Sequence, residues 1–279
     1  MNMKPQLLLN LIVCVALITG LGAIVPRTDA AAGIINVIVL IDGEYIEMDS
    51  PARLIDSVTY VPLFEFSQLL GAESTEQYRE TAVVSAPGLS IYVTAGYPYI
   101  VANGRYLFAP TLCRMIDGMM FVPVRPLAKA FGATVTWRDN PRTVSIEQSG
   151  EPIKPGYLFY DATDLFWMSR IISAEARGEC LIGRIAVGNV VMNRVNYPAY
   201  PNSVHGVIFD RRHGVQFTPA HSGAINRTPY IGCVIAAKLA LDGARVVGDS
   251  LFFSMRTIRC WASRNREYYT TIGNHRFFA

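Results

Sequence analysis

With 279 residues the chain has room for one large domain or two ordinary ones, and with 51% hydrophobic and 17% charged residues it is not intrinsically disordered. The net charge of +3 conceals an asymmetry: residues 157–279 carry 14 Lys and Arg against 8 Asp and Glu, whereas residues 1–156 carry 11 against 14. The basic half is drawn to polyanionic surfaces, but no run of Lys and Arg interleaved with aromatics marks a nucleic-acid groove, so nucleic acid is not an expected partner.

Residues 1–32 read as a secretory signal. Lys4 supplies the positive start, and Leu7 to Ile24 is an apolar run interrupted by Asn10, Thr19 and Gly20. Pro26 ends the run, and Asp29-Ala30-Ala31-Ala32 offers small residues to a signal peptidase. The run is also about long enough to span a bilayer, so an uncleaved anchor is the alternative, and a membrane is expected as a partner only in that case. Either way the rest of the chain is expected to be exported. Of the five cysteines, Cys14 falls in the signal. Cys113, Cys180, Cys233 and Cys260 remain, in no CxxC spacing, either as thiols or with one bridge among them.

Residues 34–147 contain a duplication. Asp42-Gly43 recurs as Asn103-Gly104, Val61-Pro62-Leu63 as Val122-Pro123-Val124, and Leu70-Gly71-Ala72 as Phe131-Gly132-Ala133, each at an offset of 61 residues. In the first copy Ile35 to Ile41 is a strand, Asp42-Gly43 a hairpin turn, and Tyr45-Ile46 the start of its partner. Val58 to Val61 is a further strand, and Leu63, Phe64, Phe66, Leu69 and Leu70 have helical spacing up to a C′ glycine at Gly71. The second copy repeats this from Met119 to Gly132 and adds strands at Val135 to Trp137 and Thr143 to Ile146, joined by a turn at Asp139-Asn140-Pro141. This pattern resembles the copper amine oxidase N-terminal-like stalk domain. The match is close through Phe121-Val122-Pro123-Val124-Arg125 and Gly132 to Trp137, and weaker in the first copy, which lacks an arginine where Arg125 stands. The resemblance implies a small α+β spacer or wall-attachment module. It does not imply a copper site, since residues 1–156 contain no histidine.

Residues 148–160 are a linker rich in Pro and Gly, and residues 161–279 a mostly helical domain with a small hairpin, so the whole chain reads as α+β. Thr163 or Asp164 caps a first helix, whose apolar stripe of Leu165, Met168, Ile171 and Ile172 runs to Glu175 and ends near Gly178. Further helices are expected from about Ile182 to Val195, from Ser203 to Phe209, and from Ile231 to Leu241 with Gly243 as its stop. Val246 to Phe253 reads as a strand with Tyr268 to Ile272 as its partner.

Glu175 is the informative residue. A carboxyl at the end of an apolar helix face is partly desolvated, which raises its pKa and lets it donate a proton near neutral pH. Glu179, one turn onward, is the competing candidate, and a pair of solvated helix-end charges is the bland alternative.

The segment Ala174-Glu175-Ala176-Arg177-Gly178-Glu179, then Gly183 and Ala186 to Val195, resembles the core motif of the SleB-like cell wall hydrolases, the spore-cortex-lytic enzymes and their relatives. Pro201 to Phe209, Gln216 to Pro219, Ala236 to Gly243 and Ile272 to Phe277 extend the resemblance over residues 164–279. It implies a lysozyme-like, lytic-transglycosylase-like fold, a site in the cell wall or spore envelope, and peptidoglycan glycan strands as the partner. It also implies no cofactor and no metal. Glu175 would protonate the oxygen between N-acetylmuramic acid and N-acetylglucosamine, and the muramoyl 6-hydroxyl would close a 1,6-anhydro ring without a second carboxylate. If water is the acceptor the product is a reducing sugar, and Asp210, Asp242, Asp249 and Glu267 remain available as a second group. Gln216, Phe217, His275 and Trp261 are candidate substrate-binding residues, with Tyr268 and Tyr269 beside them in sequence.

Three other readings stay open. A zinc amidase would need His205, His213 and His221, but their spacing of eight and the absence of HExxH do not favour it. A Cys–His peptidase would use Cys180 or Cys260. The third is a non-catalytic wall-binding or spore structural protein.

Overall fold

Asp42-Gly43 and Asn103-Gly104 both adopt positive φ, 50° and 85° in the first pair, 49° and 77° in the second. Two consecutive left-handed residues make the tight turn that matches the twist of a hairpin, and Asx-Gly tolerates it best. In the computed structural model, which describes residues 35–212 and 214–279, these turns join equivalent hairpins. The signal segment with Cys14, and His213, lie outside the described residues.

The first copy supplies β1 (Ile35–Asn36), β2 (Ile38–Ile41), β3 (Glu44–Ile46), β4 (Arg53–Ile55), β5 (Val58–Pro62), helix α1 (Leu63–Leu69), β6 (Ser74–Tyr78) and β7 (Thr81–Ala86). An extra strand, β8 (Leu89–Thr94), follows. The second copy repeats the set as β9 (Tyr99–Ala102), β10 (Arg105–Phe108), β11 (Arg114–Ile116), β12 (Met119–Pro123), α2 (Val124–Ala130), β13 (Thr134–Arg138) and β14 (Thr143–Glu147).

The copies are intertwined rather than side by side. β5 pairs with β12 so that Val61 lies opposite Val122, its own equivalent, in a sheet ordered β1-β4-β5-β12-β11. The other two sheets each join the end of one copy to the start of the other: β13-β14-β2-β3 and β10-β9-β8-β7-β6. One continuous core, including Val61, Leu63, Phe66, Val122 and Leu127, serves both copies. Each copy therefore lacks a complete sheet of its own.

The helical part contains α3 (Gly156–Phe159), α4 (Ala162–Ala176), α5 (Leu181–Val195), α6 (Val204–Phe209), α7 (Thr218–Ser222), α8 (Ile231–Leu241), β15 (Phe252–Met255), α9 (Ala262–Asn265), β16 (Tyr268–Ile272) and β17 (His275–Phe278). Asp161, not Thr163 or Asp164, caps α4: its Oδ1 accepts from the N–H groups of both. Helices α4, α5 and α8 pack on one another around Met168, Ile172, Ile185, Val191 and Leu239. The expected hairpin is a three-stranded sheet ordered β15-β17-β16, with β17 between the two strands expected to pair. The strand expected from Val246 is shorter. Asn189 bonds Ala244 O and Val246 N, and Asn193 bonds Gly248 O and Ser250 O, so α5 side chains take the backbone groups a strand neighbour would need.

Residues 35–279 form one compact unit. The Pro/Gly-rich stretch lies against the β-rich part: Ile153 N–H bonds Ala130 O, and Gly156 N–H bonds Asn103 O. A Cβ on Gly156 would come within 2.6 Å of Gly104 O, so glycine permits the approach. At the junction Asp242, at the C-terminal end of α8, is buried. It accepts two hydrogen bonds from Arg105 (2.8 and 3.0 Å) and one from Lys129 (2.6 Å). The Arg105 guanidinium also lies 3.4 Å from the Phe159 ring centre. Tyr106 and Phe108 pack against the helical core. Carboxylates are disfavoured at helix C-termini, so these cations are what make Asp242 tenable there.

Asp242→Ala should therefore leave the buried Arg105 charge unmatched and cost about 3 kcal/mol. Denaturant titration should show the loss, and limited proteolysis should show new cleavage within residues 148–160.

Candidate active site

Glu175 follows Trp167 and Ile171 at intervals of four on α4 and continues the buried row that includes Met168 and Ile172. Trp167 meets the rings of His205 and Phe209 from α6, which fixes that face toward α6 and α7. The helix's own hydrophobic period thus carries a carboxyl into a largely dry position. Glu175 makes no hydrogen bond or ion pair with any described residue, and burial pushes its pKa up to about 7.

Glu179 behaves in the opposite way. It is buried where Glu175 is half-buried, so the pair is not two solvated helix-end charges. Its carboxylate accepts from the backbone N–H (3.2 Å) and side-chain amide (3.0 Å) of Asn274, in the turn between β16 and β17. The nearby backbone is glycine on both sides: a Cβ on Gly183 would meet Glu179 Cβ at 3.0 Å, and one on Gly273 would collide with Glu179 Oε2. Glu179 is a tether for the sheet.

Two of the expected substrate contacts are withdrawn from solvent. Phe217 is 1% exposed, with the Arg194 guanidinium 5.2 Å from its ring centre and Phe253 at 6.3 Å, so its ring is spent on the core. His275 is 6% exposed and set edge-on to Phe253 at 5.3 Å. Burial lowers its pKa, against the pull of Glu179, whose Oε1 lies 3.9 Å from Nδ1. Its ring packs inside the domain, against Phe253 and Phe277.

Gln216 and Trp261 do come together. They line a cavity of about 780 Å³ with Arg194, Tyr200, Phe252 and Arg266, a volume within the range of small-molecule sites. Trp261 is well exposed, while Gln216 is half-buried and bonds Gly214 O. Glu175 is not among the lining residues. Tyr269 is exposed and lies outside this cavity, as does Tyr268. Arg194 and Arg266 were not anticipated. Arg194 closes a long helix just before a Tyr-rich loop, a legible hint, whereas nothing local marks Arg266.

Four other carboxylates of this part are accounted for. Asp210 is held by Arg212 at 3.0 Å, Asp242 by Arg105 and Lys129, Asp249 pairs with Arg245, and Glu267 is exposed. His205 meets the Trp167 ring edge-on and the Phe209 ring at a tilt, and His221 meets Arg211 at 2.7 Å. Among the described residues no three His, Cys, Asp or Glu side chains are grouped to hold a metal. The four cysteines in these residues are free thiols. Burial acts to raise the Cys260 thiol, but N–H and hydroxyl groups of Ser263, Ser254 and Ala262 outweigh it. No histidine acts on it. No helix among the described residues is long and apolar enough to cross a membrane.

Fold and site together define a two-part protein, a duplicated β-rich module joined to a helical domain in which the half-buried Glu175 carboxyl has no partner among the described residues. Residues 178–278 match the cell wall hydrolase family, a match that begins just beyond Glu175. Residues 40–146 match the copper amine oxidase N-terminal domain. The chain is 34% identical over 119 residues to a spore cortex-lytic enzyme of Halalkalibacterium halodurans, covering 42% of this chain and 35% of that one. It is 35% identical over 94 residues to a spore cortex-lytic enzyme of Bacillus cereus, covering 34% and 35%. Among solved structures, the catalytic domain of the germination-specific lytic transglycosylase SleB from Bacillus anthracis is 31% identical. That comparison covers 46% of this chain and 100% of that chain, with a TM-score of 0.40. The chain spans about a third of the length of these curated relatives.

Gly273→Ala should push the Glu179 carboxylate from its seat and loosen the β16–β17 turn. Amide exchange at Asn274 should quicken by about tenfold or more, given that a buried hydrogen bond to a charged group is worth about 1.5–3 kcal/mol.

Proposed function

We propose that the helical part cleaves the glycan strands of peptidoglycan, in spore cortex or cell wall, as a lytic transglycosylase with Glu175 as its single acid and base. The observation that carries this reading is an unpartnered carboxyl, held half-protonated near neutral pH by burial. In the protonated state it gives its proton to the oxygen linking N-acetylmuramic acid to N-acetylglucosamine, and the bond from that oxygen to the anomeric carbon breaks. The resulting carboxylate takes the proton of the muramoyl 6-hydroxyl as that oxygen bonds to the same carbon, leaving a 1,6-anhydro end. The 2-acetamido group of the sugar supports the cationic centre. The engagement of Glu179, Asp210 and Asp242 in structural bonds supports a one-carboxylate mechanism over a glycosidase pair. Gln216 and Trp261 are the substrate contacts retained in this reading.

The names of the relatives support the same substrate class. We assign residues 1–32 to an export signal, 34–147 to the stalk, 148–160 to the connection and 161–279 to the catalytic part, acting outside the cell in the wall or spore envelope.

Digestion of purified peptidoglycan with mass analysis of the fragments tests the mechanism. Anhydro-muramoyl ends are expected, reducing ends would indicate transfer to water, and released peptides would indicate an amidase. Glu175→Gln should lower anhydro-end formation by about 100-fold or more. The parent rate should fall above pH 7 as the acid form is depleted.

Stability should report the same group. A carboxyl raised from 4.5 to about 7 on folding contributes stability that is complete below pH 4.5 and lost as pH rises through 7. Glu175→Gln removes that loss. Its Tm should match the parent near pH 4.5 and exceed it at pH 8.

A further inference from the structure

The cavity beside Trp261 is electrostatically one-sided. Two guanidiniums approach the same ring, Arg194 at 5.4 Å and Arg266 at 5.1 Å from the centre of Phe252. Arg266 also lies 5.1 Å from the Trp261 ring. No carboxylate is among the residues lining this space. Asp210 acts on Arg194 but is already bound by two nitrogens of Arg212, and the adjoining cavity contains Asp249 together with its partner Arg245.

Neither arginine is neutralised locally. Arg194 is 4% exposed. Its Nε donates to Leu251 O, while Nη1 has no hydrogen-bond partner among the described residues. Burying a cation without a counter-charge is costly, and two such groups around one ring raise the local positive potential further. Arg266 is exposed and makes no side-chain hydrogen bond or ion pair with a described residue. Resting on aromatic rings, Arg266 keeps its in-plane N–H groups free to grip an oxyanion with two parallel bonds, while Arg194, with Nε engaged and Nη1 buried, adds positive charge to the wall.

We infer that this cavity receives the carboxylate-bearing peptide arm of a muramoyl residue, with Arg266 and Arg194 meeting its carboxylates and Trp261 and Phe252 covering its aliphatic carbons. The inference rests on the reading of the chain as a peptidoglycan enzyme and names which part of the substrate it grips. A planar carboxylate matches the arginine fork. The aromatic walls suit a ligand with apolar carbons next to its charge, which a glycerol phosphate polymer does not offer. Because Glu175 lies outside the cavity, the peptide arm is held apart from the bond being cut, so binding here selects where along the strand the enzyme acts.

Calorimetric titration tests this with the full chain carrying Glu175→Gln, so that no turnover intervenes and a failure of the acid–base mechanism leaves the binding result intact. The probes are a soluble disaccharide bearing a muramoyl tetrapeptide, the same compound with its carboxylates amidated, and a short glycerol phosphate oligomer. The acidic disaccharide should bind, and amidation should weaken it about tenfold. Arg266→Ala should weaken the acidic compound by a similar factor while leaving the amidated one unchanged. Arg266 is exposed, so this variant should fold, which a thermal melt verifies. Equal affinity for acidic and amidated probes overturns the assignment. So does an unchanged Arg266→Ala, or binding of the glycerol phosphate oligomer in place of the disaccharide.

Discussion

Taking a carboxylate out of water costs free energy unless donors or cations meet it, and the helical part resolves this cost in two opposite ways. Glu179, Asp210 and Asp242 are buried and supplied with partners: an asparagine turn, a neighbouring arginine, and two cations from the β-rich module. Each such bond fixes one piece of architecture to another. Glu175 is half-buried and supplied with none, so desolvation favours its neutral, protonated form. The contrast between residues four apart on one segment separates a group that holds the sheet in place from one that remains available to exchange a proton.

The duplicated module shows the same economy. Its two copies share strands so thoroughly that neither has a complete sheet, yet they have diverged in what they present. Arg105 and Lys129, which meet Asp242, stand 61 residues after Glu44 and Gln68. The second copy faces the helical part with two cations where the first has an anion and an amide. The residues that seat the helical part thus come from the second copy.

Much of this was legible in the sequence because it depends on local rules. The offset of 61 located equivalent turns, strands and helices, and the helical period placed Glu175 on the buried face of α4. What could not be read depended on distant partners. Nothing in β2 or β14 announces that they pair with each other. The stretch after Val246 has strand-like composition, but Asn189 and Asn193 claim its backbone from another helix. Phe217 and His275 have the right chemistry for a sugar site. Only packing against Arg194 and Phe253 shows that both rings are used inside. Arg266 becomes meaningful only beside Phe252 and Trp261.

The pairing of β2 with β14 has a mechanical consequence. The strands run parallel, with Ile38 opposite Thr143 and Ile41 opposite Ile146, and Asp42 adds two bonds to Gln148. β2 lies near the start of the described chain's path through the module, after only β1, and β14 closes it. Tension entering ahead of β2 and leaving beyond β14 pulls these neighbours in opposite directions along their length. The connecting bonds are then loaded together in shear rather than peeled one at a time. A module clamped in this way transmits force to whatever follows it instead of unravelling under load.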